Sequence, residues 1–373
     1  MKALFWGAAA VIMYTYAGYV GWLWLRARVR PRPVLRAAYE PQVSIVMVVR
    51  NEEAVLARKL DNLLAFEYPP ERFDVVVVSD GSSDKTEEIL REYARNPRVQ
   101  IVLKQISMGK ASGLNDAMSL ASGELILFVD ARQQIEPGAL RTLAQNFADP
   151  AVGCVSGALI LGDPASGEPG KGMGLYWAIE KKIRELESAS GSVVGATGAI
   201  YAVRRELLTP VPEGTILDDV YIPMEVVRQG KRVIFEQKAR AWDRPNLGGQ
   251  REFSRKVRTL TGNYQLVQLA PWLLSGRNPL RFEFISHKLF RLAVPFALAI
   301  LLLASILVSG PFYRLVLLLQ VLFYSLSLLA GLRLSRGPLA RISDAALTFV
   351  VLNSAAALAF VNFLTGRKTV WAR

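Results

Sequence analysis

Short apolar runs and amphipathic segments alternate along residues 43–147. Each short run is rich in β-branched residues and ends in a polar turn, which predicts a strand. Each segment that follows carries apolar residues at helical spacing. The predicted strands are 43–49, 73–79, 99–103 and 125–129, and the predicted helices are 52–65, 84–95, 109–121 and 137–147. Strands joined by single helices predict an α/β fold with a mostly parallel, twisted, doubly wound sheet and helices on both faces.

The pattern is less regular over residues 150–250. It predicts helices near 174–188 and 218–229, and short strands near 199–203 and 232–236. Amphipathic segments over 251–290 predict helices that lie along a membrane surface.

Four apolar stretches lack charged side chains over enough residues to cross a bilayer. They are 3–25, 292–313, 315–332 and 345–366. The chain therefore divides into four predicted regions. These are a transmembrane helix with a basic linker (1–36), the α/β domain (37–250), interfacial helices (251–290), and about three transmembrane segments with a basic tail (291–373).

The chain carries 45 basic and 32 acidic residues, a formal net charge of +13. Within 37–250 acidic side chains outnumber basic ones, so the positive excess lies beside the apolar stretches. This distribution predicts contact with the anionic headgroups of a lipid bilayer and excludes a nucleic-acid partner. Five arginines follow the first apolar stretch and place the α/β domain in the cytoplasm by the positive-inside rule. They are Arg26, Arg28, Arg30, Arg32 and Arg36.

The same rule conflicts with the last apolar stretch, since a full span there leaves Arg367, Lys368 and Arg373 outside. Either that stretch does not fully span the membrane, or another stretch is re-entrant. A single cysteine and a single histidine exclude a disulfide framework and a histidine-rich metal site.

Polar residues stand at the ends of the predicted parallel strands, where ligands bind in open α/β sheets. Asn51 either caps the next helix or lines a ligand pocket. Asp80 precedes a Gly-Ser turn and is predicted to accept a hydrogen bond from a nucleobase, with a turn-stabilising role as the alternative. Lys110 at a helix start suits an anionic phosphate. Asp130 suits a divalent cation that bridges a diphosphate.

Two later segments add candidates of a different kind. Gly195 and Gly198 allow backbone to approach a ligand closely. Asp218 and Asp219 stand together at a helix start, where they either favour the helix dipole or act as a general base and an orienting group. The chain contains neither a Walker motif nor a dinucleotide-binding G-x-G-x-x-G.

Seven segments follow one another in a fixed order: SIVMVVRNEE, VVVVSDGSSDKTEEIL, GKASGLNDAM, LILFVDAR, VGATGAIYAVRREL, ILDDVYIPMEV and FSRKVRTLTG. In this order and spacing they resemble the family 2 glycosyltransferases, above all the membrane-anchored branch related to cellulose, poly-N-acetylglucosamine and hyaluronan synthases. The resemblance covers residues 43–262. It implies a GT-A fold, which is Rossmann-like, and an inverting enzyme that uses a nucleotide-sugar, expected to be UDP-linked.

On the donor side the resemblance implies that Asp80 contacts the nucleobase. The residues implied to line the same pocket are Arg50, Asn51, Glu52, Gly81 and Ser82. Lys110 would face the diphosphate. Asp130 would be the first acid of a D-x-D site that holds Mg²⁺ or Mn²⁺.

On the acceptor side the resemblance implies that Gly198 lies in a loop next to the acceptor. Asp219 would be the general base, with Asp218 before it. Arg255 and Arg258 fall where the family has a Q-x-x-R-W element that clamps the diphosphate.

Three departures from the family pattern bear on these roles. Arg132 occupies the position of the second D-x-D acid, and Arg255 and Thr259 replace the Gln and Trp of Q-x-x-R-W. Arg132 would either offset diphosphate charge, which would weaken metal dependence, or pair with a neighbouring acid while Asp130 still holds the metal. A single amino-terminal span also makes a polymer-translocating channel less expected than in relatives that have two.

The predicted protein is a glycosyltransferase of the bacterial inner membrane with a cytoplasmic catalytic domain. It would transfer sugar to a growing polysaccharide or a lipid-linked acceptor. One alternative is a transferase that adds single sugars to a polyprenyl phosphate. Another is a degenerate, non-catalytic subunit that assembles with polysaccharide-export partners.

Overall fold

A computed structural model describes residues 1–164, 175–244, 249–335 and 337–366. Its centre is an eight-stranded sheet in the order β3-β2-β1-β4-β7-β6-β8-β5. The strands are β1 (Val43–Val49), β2 (Phe73–Asp80), β3 (Val99–Lys104), β4 (Leu125–Val129), β5 (Gln134–Ile135), β6 (Val152–Leu161), β7 (Ile200–Arg204) and β8 (Arg232–Asp243).

The amino-terminal half of the sheet is parallel. Strand β1 pairs with β2 and β4, and β2 pairs with β3, all in parallel register. Strand β7 then runs antiparallel between β4 and β6, whereas β6 and β8 are parallel. The carboxyl ends of β1, β2 and β4 therefore meet at one edge, as the predicted doubly wound sheet requires.

The sequence analysis missed strand β6 and the last seven residues of β8. Strand β6 is buried along most of its length and rich in glycine, alanine and serine, which have low strand propensity. Its pairing with β8 shifts register twice, close to Gly153 and Gly157. A Cβ atom at Gly157 would lie 2.6 Å from the carbonyl oxygen of Ala239, so neighbouring backbone requires glycine there.

Helices cover both faces of the sheet and extend beyond it. They are α1 (Lys2–Met13), α2 (Tyr19–Val29), α3 (Leu56–Leu64), α4 (Thr86–Tyr93), α5 (Lys110–Leu120), α6 (Ala139–Ala144), α7 (Leu175–Ser190), α8 (Asp218–Arg228), α9 (Gly249–Leu269), α10 (Arg281–Phe284), α11 (Phe290–Leu307), α12 (Pro311–Gly331) and α13 (Pro338–Leu364).

Side chains of β1 alternate between two apolar cores, one on each face of the sheet. Val46 and Val48 pack into the core that includes Leu114 of α5. Ile45 and Met47 pack into the core that includes Leu60 of α3. Burial on both faces explains why the strand appears in the sequence as an unbroken apolar run.

Helix α3 begins four residues later than predicted. Asn51 has a φ of 54°, in the left-handed region, and residues 52–55 form turns before the helix starts at Leu56. The prediction that Asn51 caps a helix from Glu52 is therefore wrong. Asn51 belongs to the loop at the edge of the sheet instead.

Among the described residues four helices are long and apolar enough to cross a membrane: Lys2–Val29, Arg281–Leu307, Pro311–Gly331 and Leu339–Leu364. The first is α1 and α2 joined by a π-helical turn at Tyr14–Gly18, and the second is α10 and α11 joined by another at Ile285–Leu289. These helices overlap the four apolar stretches predicted from the sequence. The predicted basic tail, 367–373, lies outside the described residues.

Helix α9 accounts for most of the predicted interfacial region. It packs along α13, where Tyr264 stacks on Phe363 with ring centres 5.4 Å apart and Val257 joins a cluster with Ala355 and Ala359. Residues from Arg281 onward belong to the second long apolar helix rather than to a separate interfacial helix.

Candidate functional site

Lys110 lies between two carboxylates at the carboxyl edge of the parallel strands. Its Nζ atom is 3.0 Å from Oδ1 of Asp130, at the end of β4, and 3.1 Å from Oδ2 of Asp218, at the start of α8. Burial alone would lower the pKa of Lys110, but the carboxylates of Asp130, Asp218 and Asp219 raise it above its ordinary value. The site thus holds a permanent positive charge among three acids.

Asp219 and Asp130 face the same glycine. The backbone N–H of Gly198 donates to Oδ2 of Asp219 at 3.1 Å. A Cβ atom at Gly198 would lie 3.0 Å from Oδ2 of Asp130 and 3.6 Å from Oδ2 of Asp219. The structure therefore brings together Asp130, Gly198 and Asp219, which are far apart in the sequence.

The surroundings of Asp219 suit proton transfer near neutral pH. Burial and the neighbouring Asp218 raise the pKa of Asp219 to about 6, against the opposing effect of Lys110. A carboxylate with such a pKa is deprotonated at pH 7 yet basic enough to take a proton from a reacting hydroxyl. Strongly perturbed carboxylates of this kind are common in active sites.

Asp80 holds the loop that leads into α5. Its carboxylate, which is fully buried, accepts hydrogen bonds from Oγ of Ser107 at 2.7 Å and from the backbone N–H groups of Met108 and Gly109 at 2.8 and 2.9 Å. Gly81 adopts a φ of 65°, and a Cβ atom there would lie 2.6 Å from the nitrogen of Ser107. In this structure Asp80 therefore has the structural role, and it is linked to Lys110 through the backbone of Gly109.

Hydrogen bonds join residues 50–52 and 79–83 into one wall, which includes Asp80. The backbone N–H of Ser83 donates to Oδ1 of Asn51 at 2.8 Å, and that of Asn51 donates to Oγ of Ser82 at 3.2 Å. Within the described part of the chain the buried Nε of Arg50 has no partner. Burial raises the pKa of Glu52, while Arg132 lowers it and Asp130 raises it, so Glu52 faces both.

Arg132 pairs with an acid that the sequence analysis did not single out. Its Nη2 atom is 3.0 and 3.3 Å from the two oxygens of Asp243, the last residue of β8. Arg255 approaches the same carboxylate at 3.5 Å and also binds Glu252. Of the two open interpretations of Arg132, the structure shows the pairing with a neighbouring acid.

Arg258 lies one turn beyond Arg255 on α9, and no hydrogen bond or ion pair holds it among the described residues. Of the two arginines of the predicted phosphate clamp, Arg255 is thus paired with acidic residues, and Arg258 is not paired with any described residue. Both lie on the helix that packs along α13.

A second residue missed by the sequence analysis is Lys59, which lies under the site. Its side chain is fully buried, and Nζ donates to the carbonyl oxygen of Gln133 at 2.8 Å. Burial lowers the pKa of Lys59 to about 7. Its position with Leu56, Leu60 and Leu63 on the buried face of α3 was visible in the helical pattern and would have revealed it.

The acids present can supply one ligand to a divalent cation. In the described ranges no three His, Cys, Asp or Glu side chains group as a metal site. Oδ1 of Asp130 is bound by Lys110, but the side chain is 40% exposed and its second oxygen makes no hydrogen bond to the described residues. A cation bound there would complete its coordination with oxygens of a diphosphate and water.

Comparison with known proteins bears on the family and the fold. Residues 44–210 match the family model Glycosyl transferase family 2. A beta-monoglucosyldiacylglycerol synthase of Trichormus variabilis is 32% identical over 186 residues, 48% of this chain and 40% of that protein. A poly-beta-1,6-N-acetyl-D-glucosamine synthase of Staphylococcus epidermidis is 24% identical over 276 residues, 70% of this chain and 64% of that protein.

The whole chain shares its fold with a solved transferase. A mannosyltransferase of Pyrobaculum calidifontis, solved with GDP-Man and Mn²⁺, superposes with a TM-score of 0.76 and 22% sequence identity over 98% of this chain and 99% of that one. The predicted GT-A fold is confirmed, together with helices that are long and apolar enough to cross a membrane. The motif segments, the family-model match over residues 44–210 and the shared fold agree, so the resemblance of this part of the chain to the family 2 glycosyltransferases is confirmed.

Proposed function

We propose that the protein is a membrane-bound, inverting glycosyltransferase that moves a sugar from a UDP-sugar to a growing polysaccharide or a lipid-linked acceptor. The observation that carries this proposal is the meeting of Asp130, Lys110 and Asp219 around Gly198. Cationic and acidic groups at one strand edge suit a substrate that has both a diphosphate and a hydroxyl to deprotonate.

The donor diphosphate would lie beside Lys110. Its ammonium group is fixed by two carboxylates, and Arg258 offers a guanidinium that no described residue engages. These cations stabilise the charge that develops on the leaving diphosphate. A Mg²⁺ or Mn²⁺ ion held by Asp130 would supply further positive charge to the same diphosphate.

The nucleobase would lie against the wall formed by residues 50–52 and 79–83. Because segment 107–109 covers the carboxylate of Asp80, contact between that carboxylate and the base requires this segment to move. Arg50, whose Nε is buried without a partner among the described residues, is a donor that is available without such a movement.

The acceptor would approach from the side of Gly198. Asp219 takes the proton from an acceptor hydroxyl while the hydroxyl oxygen attacks the anomeric carbon. The bond from that carbon to the diphosphate breaks, and its electron pair leaves with the nucleoside diphosphate. Attack opposite the leaving group inverts the anomeric configuration. Asp218 acts indirectly, because it fixes Lys110 beside Asp219.

The membrane side of the proposal follows from the four apolar helices. Arginines stand in the last turn of the first helix and after it. The two in the helix lie over tryptophan rings: Arg26 over Trp22 at 5.0 Å and Arg28 over Trp24 at 5.3 Å. We place this belt at anionic headgroups and the transferase domain in the cytoplasm of a bacterial cell.

The test uses the full chain in anionic lipid nanodiscs. Release of nucleoside diphosphate is measured with a panel of UDP- and GDP-linked sugars, and the product is examined by gel electrophoresis and mass spectrometry. We expect release with a UDP-sugar, and loss of turnover with retained UDP binding in Asp219→Asn. UDP binding without turnover in the wild-type protein would support the non-catalytic subunit instead. A product carrying one sugar per lipid would support the polyprenyl-phosphate transferase.

A further inference from the structure

His287, the single histidine of the chain, lies between two carboxylates. It belongs to the π-helical turn at the start of the second long apolar helix and is 2% exposed. Nδ1 is 2.8 Å from Oε1 of Glu187, and Nε2 is 3.2 and 3.3 Å from the two oxygens of Glu180. Both glutamates lie on α7, which belongs to the transferase domain.

Both ring nitrogens can donate hydrogen bonds to these carboxylates only when each nitrogen carries a proton. A neutral imidazole has one N–H, so its other nitrogen would direct a lone pair at a carboxylate. The doubly protonated ring donates to both glutamates and balances part of their charge. Other groups also face the pair: Arg184 and Arg291 bind Glu180, Tyr19 donates to Glu187 at 2.7 Å, and Lys288 follows on the same helix.

The two glutamates are ionised in this setting. Burial favours their neutral forms, but Arg291 and His287 hold the pKa of Glu180 well below its ordinary value. His287 and Tyr19 likewise lower the pKa of Glu187 against the effect of burial.

A line of hydrogen bonds runs from these glutamates to the candidate active site. The backbone N–H of Val194 donates to Oε2 of Glu187 at 3.3 Å. Nη2 of Arg184 donates to the carbonyl oxygen of Ala196 at 3.4 Å. The same loop then reaches Gly198, whose N–H binds Asp219.

We propose that His287, as an imidazolium held by Glu180 and Glu187, is a positioning residue that couples the membrane helices to the loop of Gly198. Through that loop it sets the placement of Asp219, so this part of the inference rests on the proposed function. If the transferase domain shifted relative to the membrane helices, Gly198 and Asp219 would lose their alignment. Catalysis would thus depend on the seating of the domain on its own membrane helices.

The first test measures the protonation of the ring directly. Because the chain has one histidine, ¹⁵N-histidine labelling of a protein purified without a histidine tag gives the signals of a single imidazole. We expect two protonated ring nitrogens in the wild-type protein at pH 7.5, and a neutral tautomer in Glu187→Gln. One protonated nitrogen in the wild-type protein would overturn the proposal.

The second test measures the coupling. Glu187→Gln is compared with Ser286→Ala, which removes the 2.7 Å hydrogen bond between Ser286 and Tyr14 on the same two apolar helices and leaves the hydrogen bonds of Glu180 and Glu187 in place. Loss of a hydrogen bond to a charged group predicts a fall in kcat of about 10- to 100-fold in Glu187→Gln, with a donor KM within about threefold of wild type. Ser286→Ala is expected to keep its kcat.

The outcomes separate this proposal from the proposed function. Wild-type kcat in a folded Glu187→Gln protein refutes the coupling and leaves the proposed reaction intact. An equal loss in Ser286→Ala also refutes it, because any disturbance of the helices would then suffice. Full turnover in Asp219→Asn refutes the base and leaves the protonated ring unaffected. If Glu187→Gln does not fold, two other measurements test the proposal: the protonation of the wild-type ring and the kcat of Tyr19→Phe, which removes a hydrogen bond to Glu187. We expect kcat in Tyr19→Phe to fall by a smaller factor than the one expected for Glu187→Gln.

Discussion

Lys110 and Asp130 form an ion pair at 3.0 Å although they lie on different elements, the start of α5 and the end of β4. The pair forms because β4 ends and α5 begins at the same edge of the parallel sheet. Asp80 contributes indirectly, because its carboxylate accepts a hydrogen bond from the backbone N–H of Gly109, the residue immediately before Lys110. A residue expected to contact the nucleobase thus helps to place Lys110, the cation that we propose faces the diphosphate.

Replacement of this cation should impair turnover strongly. Lys110→Met leaves Asp130, Asp218 and Asp219 without their shared counter-charge and removes a donor to the diphosphate. We expect kcat/KM to fall by about 10²- to 10³-fold, as for loss of one electrostatic stabiliser of a transition state. Lys104→Met is the control, because Lys104 pairs with Asp116 and Ser112 on the outer side of α5. Near-normal kcat/KM in Lys110→Met would contradict the proposed site.

The pH dependence of turnover should report Asp219. Its pKa is raised to about 6, and the base must be deprotonated to act, so activity rises with pH through about 6 and falls as pH drops below it. The measurement is kcat/KM from pH 4.5 to 8.5 in the full chain. The pH at which kcat/KM rises should be higher in Lys110→Met, since Lys110 lowers the pKa of Asp219. A rise of kcat/KM near pH 4 in the wild-type protein would show that a group other than Asp219 controls the pH dependence.

The sequence could predict the parallel half of this fold and most of the site. Strands β1 and β4 were predicted with the correct bounds, because β-branched runs between polar turns leave little ambiguity. The residues at their ends follow directly from the rule that ligands bind at that edge. Asp130 follows from that rule, whereas Lys110 and Asp219 were singled out as charged residues at the starts of predicted helices.

Other parts depend on contacts that no local pattern encodes. Strand β6 is held by its neighbours on both sides, and its glycines obscure it in the sequence. Asp243 carries no signal of its own, since its importance comes from Arg132, which lies 111 residues earlier. The partners of His287 lie 100 and 107 residues away. Such pairs require the tertiary structure.

Gly198 tests how closely the two acids must approach their substrate. In Gly198→Ala the new methyl group would lie 3.0 Å from Oδ2 of Asp130 and 3.6 Å from Oδ2 of Asp219, inside the space where we propose that the acceptor meets the sugar. We expect kcat to fall at least about tenfold, with unfolding free energy within about 1 kcal/mol of wild type. Gly276→Ala, where no heavy atom lies within 4 Å of the added Cβ, should retain full kcat. Equal activity of both variants would place the reaction elsewhere.

The Arg132–Asp243 pair bears on the dependence on metal. An arginine engaged by a buried carboxylate is poorly placed to replace a cation, which favours the interpretation in which Asp130 still holds the metal. We therefore expect a chelator to abolish turnover and Mn²⁺ or Mg²⁺ to restore it. Arg132→Met should show the same metal response as the wild-type protein, at a lower thermal stability. Substantial turnover in the chelator that is lost in Arg132→Met would restore the other interpretation.

Lys59 should make the stability of the protein depend on pH. Burial lowers its pKa to about 7 in the folded state, whereas an exposed lysine in the unfolded chain has a pKa of about 10.4. Between these values the unfolded chain binds more protons than the folded protein does, so the free energy of unfolding increases with rising pH from about 7 to about 10. Lys59→Met removes this gain, and thermal unfolding of both proteins should show wild type improving relative to the variant across that range. Lys238, which is exposed, provides the control as Lys238→Met. A constant difference between wild type and Lys59→Met from pH 7 to 10 would mean that Lys59 stays charged in the folded protein.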